Sequence, residues 1–325
     1  MKSHSYMTHS FQGFSISPYM QELMVYAGHL NCYAQCNEVL SHFLNVEVSS
    51  SQVYRVTDYM STQLKQEDNS AERLLPPVSN EEVLYVELDG SMISTREEGW
   101  KEVKLGRIFK SSDCLNPNSN SSMIAASQYV GHFGNSEEFC SKMETLIDSY
   151  GNLRERLVFI TDGALWIKNW IEDSYSDAGS LLDYFHACEH LHKFADTLCF
   201  ETPKSKELWC EQQKELLLDS QTEKVIENIS QTSGKEKDKQ DLMNYYQNNI
   251  HRMNYKKYSE TGCGIIGSGA IESAHRTVIQ KRMKLSGQHW SRSGARNMLR
   301  LRIISMNRQW HKVIDVLKKT ENRAA

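Results

Sequence analysis

Apolar residues between 17 and 64 recur at three- and four-residue spacing, as in S-P-Y-M-Q-E-L-M-V-Y-A-G-H-L and Q-C-N-E-V-L-S-H-F-L, and predict helix throughout. In N-V-E-V-S-S-S-Q-V-Y-R-V-T-D-Y-M the serines suit an N-cap, and Val53, Val56 and Tyr59 or Met60 mark one face. A short helix, a tight connection and a second helix opening on Ser-Ser-Gln with an exposed Arg55 suit a helix-turn-helix that reads DNA. An ordinary helical hairpin packed on the next domain fits the same pattern. Residues 65–80, polar and carrying Pro76-Pro77, read as a linker.

After the linker the period changes. V-L-Y-V-E-L-D-G (83–90), W-K-E-V-K-L-G-R-I-F-K (100–110) and S-M-I-A-A-S-Q-Y-V-G-H-F (122–133) have strand character, and residues 136–150 form an amphipathic helical pattern. R-L-V-F-I-T-D-G (156–163) reads as a buried strand with a helix behind it, and S-L-L-D-Y-F-H (180–186) as the next strand. Three hairpin-like strands followed by βαβ crossovers predict an α/β fold, a mixed sheet with flanking helices. Residues 188–261 are helical and highly charged, ending in a loose S-G-K-E-K-D-K-Q-D piece, and read as a helical insertion. In the final helical region Ser268 can cap a helix in which Ile271, Ala274 and Val278 face the core, and residues 311–325 read as a basic tail.

The 325 residues contain no apolar run of about 18, which excludes a helical membrane span from the expectation. The first ten residues lack the apolar core of a signal peptide, so a cytoplasmic protein is expected. Eight cysteines without a C-x-x-C pair read as reduced, mostly buried thiols. Charge changes the picture more. From His275 to the end, 13 Lys and Arg face two acids, a surplus of 11 positive charges, so a chain of net −4 carries −15 elsewhere. A basic segment on an acidic protein points to a polyanion such as nucleic acid, with Arg276, Lys281, Arg282 and Lys284 as candidate phosphate contacts.

Two strands end in Asp-Gly, at Asp89 and Asp162. Carboxylates brought together repel unless a cation or proton lies between them, and Mg²⁺ is held by such oxygen donors. Glu272, in the first turn of the late helix, is the candidate third acid; the helix dipole alone also favours an acid there. A competing signal is H-x-x-E-H at His186, Glu189 and His190, the inverted zinc-peptidase pattern, which needs both histidines on one helix face and a third ligand such as Glu260 or Glu272.

The pieces V-E-L-D-G…W-K-E-V-K-L-G (86–106), F-I-T-D-G-A-L-W-I (159–167), D-Y-F-H-A-C-E-H-L (183–191) and G-S-G-A-I-E-S-A-H-R…R-M-K-L-S-G-Q-H-W-S (267–291) come in a recognisable order. In them the chain resembles the DDE transposases of bacterial insertion sequences, in the Kra-type branch related to Mutator-like elements. The resemblance covers roughly residues 80–310. It implies an RNase H-like catalytic core over 81–310, interrupted by the insertion at 188–261. It implies Asp89, Asp162 and Glu272 as ligands of two Mg²⁺ ions, with Mn²⁺ able to substitute. Asp183 and His186 match the D-x-x-H element of Mutator-like proteins and are expected to position DNA or to hold hydrogen bonds around the metal site. The implied partners are double-stranded DNA, both the terminal repeats and the target, and a second copy of the chain on that DNA. Residues 1–64 and the linker are a shorter leader than such proteins commonly use to recognise element ends. A truncated DNA-binding relic without turnover is therefore the alternative reading.

Overall fold

The computed structural model describes residues 16–67, 82–115, 123–151 and 156–324. Five strands form one sheet: β1 (Leu84–Thr95), β2 (Gly99–Lys110), β3 (Gln128–His132), β4 (Leu157–Thr161) and β5 (Gly179–Leu182). Their spatial order is β3-β2-β1-β4-β5. β1 pairs antiparallel with β2, and β2 with β3, whereas β4 runs parallel to β1 and β5 parallel to β4. The sheet is thus mixed α/β, an antiparallel meander followed by two parallel additions.

Alternation along the strands sorts the core into two layers. Leu84, Val86 and Leu88 of β1 and Leu157 and Phe159 of β4 meet α4 (Ser136–Asp148) and α5 (Leu165–Ser174). Tyr85, Val158 and Ile160 point the other way. They join α6 (Tyr184–Ala195) and the helices α7 (Pro203–Leu218), α8 (Thr222–Ser230), α9 (Glu236–Asn249) and α10 (Tyr255–Ser259) in a second core. Ile93, Val103 and Leu105, farther along the β1–β2 hairpin on that same face, pack against the late helices. These are α11 (Gly269–Ala274), a π-helical turn over His275–Gln280, α12 (Lys281–Met283) and α13 (Arg292–Met306). Ile271, Ala274 and Val278 are buried there, as their spacing predicts.

The first helices, α1 (Pro18–Leu30), α2 (Tyr33–Leu44) and α3 (Ser50–Glu67), share a core with α13 and with α14 (His311–Ala324). Most of the segment read as a tail is therefore helix, His311–Ala324, with Val313, Val316 and Leu317 buried against the N-terminal helices. The start of the linker read at 65–80 is still helix, since α3 runs through Glu67; the remainder, 68–80, lies outside the described residues. The loose piece at 233–241 is largely the start of α9. Among the described residues no helix is long and apolar enough to cross a membrane.

Candidate active site

The ladder between β1 and β4 pairs Leu84 with Leu157 and Glu87 with Ile160. Carried two steps onward, the same register puts Asp89 and Asp162 side by side. The β4–β5 ladder pairs Val158 with Gly179 and Thr161 with Leu182, so its next step puts Asp183 beside Asp162. Extended past the last paired residues, the registers thus line up the three aspartates at one end of three parallel strands, whose spacing is about 4.8 Å.

The two Asp-Gly pairs have different reasons. Asp162 follows the last residue of β4, and Gly163 turns the chain at φ +93°, a left-handed conformation glycine adopts without strain. Asp89 is not at a strand end, because β1 continues to Thr95. A Cβ at Gly90 would meet the carboxylate end of the Glu102 side chain on the neighbouring strand, which would have to swing aside. What stops beside Asp89 is the parallel neighbour β4, whose last residue is Thr161. Asp89 Oδ1 accepts the Gly90 N–H at 2.6 Å, and Asp162 Oδ1 accepts the Ala164 N–H at 3.1 Å.

Glu272 approaches from the facing helix. Glu87, fully buried two residues before Asp89 and on the same face, accepts the Ile271 N–H at 2.6 Å. His275 Nε2 lies 3.2 Å from Asp89 Oδ2. Ile271 and His275 flank Glu272, so the Ile271 hydrogen bond fixes its helix against β1 and sets His275 beside Asp89. The electrostatics agree: the Asp89 carboxyl is pushed up to about 6, by burial first and then by the charge of Asp162, with Glu102 and Glu272 adding and the Gly90 N–H opposing. Glu87 is pushed up to about 8 by burial, against the Ile271 N–H and Arg107, with Asp183 and Glu272 adding. His275 is held down to about 4, chiefly by burial.

Asp183 is 3% exposed and is the N-cap of α6, accepting the Phe185 N–H at 2.8 Å; its other oxygen accepts the Ser268 hydroxyl. It thereby ties the end of β5 to the residue that opens α11. His186 lies inside α6, not at the end of a strand, because the Asp183 cap starts the helix at Tyr184. His186 and His190 are consequently one turn apart, with ring centroids 4.9 Å from each other, so the helical condition of the zinc pattern is met. His186 contacts Glu189 at 3.8 Å, and the His190 ring is stacked on Tyr245 at 4.1 Å. Among the described residues, no three His, Cys, Asp or Glu side chains converge closely enough to hold one metal ion.

The candidate phosphate contacts divide. Arg55, Arg276, Lys281 and Lys284 are exposed. Arg282 is 1% exposed: it donates from Nε to the Gly28 carbonyl at 2.9 Å and lies between the rings of Tyr33 (4.7 Å) and Trp290 (5.0 Å). With Arg302, which donates to the His29 carbonyl at 3.2 Å, it satisfies the last turn of α1. Part of the basic segment is thus spent inside the protein, and Arg282 is corrected from a surface contact to a packing residue.

Sequence reasoning missed Glu87 and His275, and it placed Ser268 at the start of the late helix without its bond to Asp183. Glu87 had a signal, an acid inside the apolar run V-L-Y-V-E-L-D-G on the same strand face as Asp89. His275 had only its place one helical turn after Glu272.

A sequence profile described as "Uncharacterised protein family (UPF0236)" matches residues 15–319. A curated relative from Streptococcus gallolyticus, described as "UPF0236 protein in vanSb 3'region", is 25% identical over 237 residues, covering 69% of this chain. That stretch is 50% of the relative, so the chain spans about half the length of the curated relative it matches.

Proposed function

Because the chain belongs to the uncharacterised protein family UPF0236, its function rests on its own site, and we propose that it is a DDE-type transposase. The observation that carries this reading is the register: the β1–β4 and β4–β5 ladders bring Asp89, Asp162 and Asp183 into one row, with the Glu272 helix fixed across it. The order β3-β2-β1-β4-β5, antiparallel on one side of β1 and parallel on the other, supports an RNase H-like core. The exposed Arg276, Lys281 and Lys284, on the helix running on from Glu272, suit a phosphate backbone beside the acids.

By its chemistry the donor set suits a hard divalent cation. Among the described residues no three such side chains converge on one point, so the acids would have to draw together around the ion. The set is made of carboxylate oxygens, and the pKa of Asp89 is raised by burial first and then by the charge of Asp162, a repulsion that a cation relieves. Asp89, Asp162 and Glu272 would hold Mg²⁺ or Mn²⁺, which when bound neutralises charge on the attacked phosphodiester. Around it, Asp183 holds α11 through Ser268, and Glu87 holds it through Ile271. In this reaction water opens the phosphodiester at an element end and the freed 3′-hydroxyl attacks target DNA, with a second copy of the chain on the paired end.

The test is to incubate the full chain with Mg²⁺ or Mn²⁺ and DNA carrying the ends of the element that encodes it. Nicked ends and joined products are expected, and loss of both in Asp89→Asn, Asp162→Asn and Glu272→Gln. DNA binding without cleavage favours the relic without turnover. Tightly bound zinc on elemental analysis, together with peptide cleavage, favours the histidine pair on α6 instead.

A further inference from the structure

Between Asp162 and Glu272 the chain makes a long helical excursion, and α9 brings one of its side chains back toward the acids. Tyr245 stacks on His190 of α6, with ring centroids 4.1 Å apart and planes 22° from parallel. His186 meets the His190 ring edge-on at 4.9 Å. The next residue, Tyr246, donates its hydroxyl to the Ala187 carbonyl at 3.0 Å, which pins α9 to α6 at the same level. The H-x-x-E-H histidines therefore have work that needs no zinc: they fix the direction of a phenol.

That phenol is unusual in one respect. Its oxygen is buried and meets no hydrogen-bond partner among the described residues. A buried hydroxyl without a partner is costly, and native proteins seldom retain one where nothing uses it. Its ionisation is pushed up by burial first and then by the negative charge of Asp162, with Arg252 opposing and Asp183 adding. One turn along α9, Asn249 donates to the Tyr245 carbonyl at 2.8 Å, and its Oδ1 lies 3.9 Å from where a Cβ on Gly163 would fall, so this part of α9 packs against the turn that carries Asp162. Asp162 has one oxygen held by the Ala164 N–H; a donor for the other is what a loaded carboxylate needs to keep its orientation.

We propose that Tyr245 is a positioning residue of the acid row, its hydroxyl donating a hydrogen bond to the Asp162 carboxylate when the row is loaded, with His190 holding the ring in place. No proton is transferred; the phenol stays neutral and the carboxylate stays ionised. This rests on the divalent-cation reading of the row. It also gives the insertion a part in the site.

The experiment is a calorimetric titration of the full chain with Mn²⁺ alone, paired with thermal melts without metal. It compares the wild type with Tyr245→Phe, His190→Phe and His190→Ala. Tyr245→Phe should melt at or slightly above the wild type, because an unpartnered hydroxyl is removed, yet bind Mn²⁺ roughly tenfold more weakly. His190→Phe keeps a stacking ring and should bind as the wild type does, whereas His190→Ala should lose part of the affinity. Wild-type affinity in Tyr245→Phe overturns the proposal. A wild type that takes up no Mn²⁺ overturns the cation reading instead. In that case a urea-melt cycle of Tyr245→Phe and Asp162→Asn decides: coupled effects keep Tyr245 on Asp162, and additive effects discard it.

Discussion

Asp89 and Asp162 lie side by side because the β1–β4 register that pairs Glu87 with Ile160 reaches both aspartates two steps later. The closeness has a consequence that needs no substrate. Asp89 titrates at about 6, with burial as the larger cause and the Asp162 charge next. Asp162→Asn removes the charge and leaves the burial, so the Asp89 carboxyl should titrate at lower pH in the variant. Carboxyl NMR titration of the metal-free protein reads this directly, and an unmoved Asp89 would falsify the shared row. Divalent-cation binding should correspondingly fade as pH drops through about 6, where Asp89 takes up its proton.

Glu87 sets a second pH dependence, of opposite sense. Its ordinary value is 4.5 and its folded value about 8. Between these limits the folded protein holds a proton that the unfolded chain releases, so stability falls as pH rises from about 4.5 to about 8. Glu87→Gln keeps an acceptor for the Ile271 N–H and removes the buried charge. It should match the wild type near pH 5 and exceed it by roughly 1–3 kcal/mol at pH 8.5. Denaturant melts at the two pH values measure this; a variant weaker at both would mean that the ionised carboxylate is needed to hold α11.

Much of the sheet is legible in the sequence because each strand keeps its own period, and the Asp-Gly pairs draw attention to the acids. The sequence misleads where one local signal has two physical causes. Asp-Gly marks a turn at Asp162, where Gly163 has positive φ, but at Asp89 the glycine makes room for Glu102 and the strand continues. L-L-D-Y-F-H has the apolar content of a strand, although Asp183 is a good N-cap and ends the strand at Leu182. The partners of Glu87 and Tyr245, Ile271 and His190, come from elements far away along the chain, and no local pattern encodes such pairings.

The N-terminal helices should loosen in acid. His29 lies in the last turn of α1, with Nδ1 2.6 Å from the Tyr26 carbonyl and Nε2 3.0 Å from the Ser305 hydroxyl. Burial, followed by the charge of Arg302, lowers its pKa to about 4. The unfolded chain therefore binds a proton below about 6.5 that the folded chain refuses. The contribution of neutral His29 is fully present above that pH and is lost as pH falls toward about 4. Hydrogen exchange in α1 and α13 should accelerate between pH 7 and pH 5 relative to the central sheet, and His29→Gln should flatten that difference. Equal exchange of the helices and the sheet across this range would refute the assignment.

The basic late segment should separate into two functions under mutation. Arg276, Lys281 and Lys284 are exposed, so replacing each by alanine should change stability by no more than about 0.5 kcal/mol. If they meet phosphates, each loss should weaken DNA binding across all sequences and reduce the slope of log affinity against log salt by about 1. Arg282 should behave in the reverse manner. Its guanidinium is enclosed by Tyr33 and Trp290 and satisfies the Gly28 carbonyl at the end of α1. Arg282→Ala removes the stacking and leaves that carbonyl without its donor, a loss of roughly 3 kcal/mol or more. Arg282→Lys keeps the charge but not the planar group between two rings, so it should recover only part of the stability. Melting curves and salt-dependent DNA titrations on the same set of variants separate the two classes. Alanine at Arg282 that spares stability while lowering the salt slope would return this residue to the surface set.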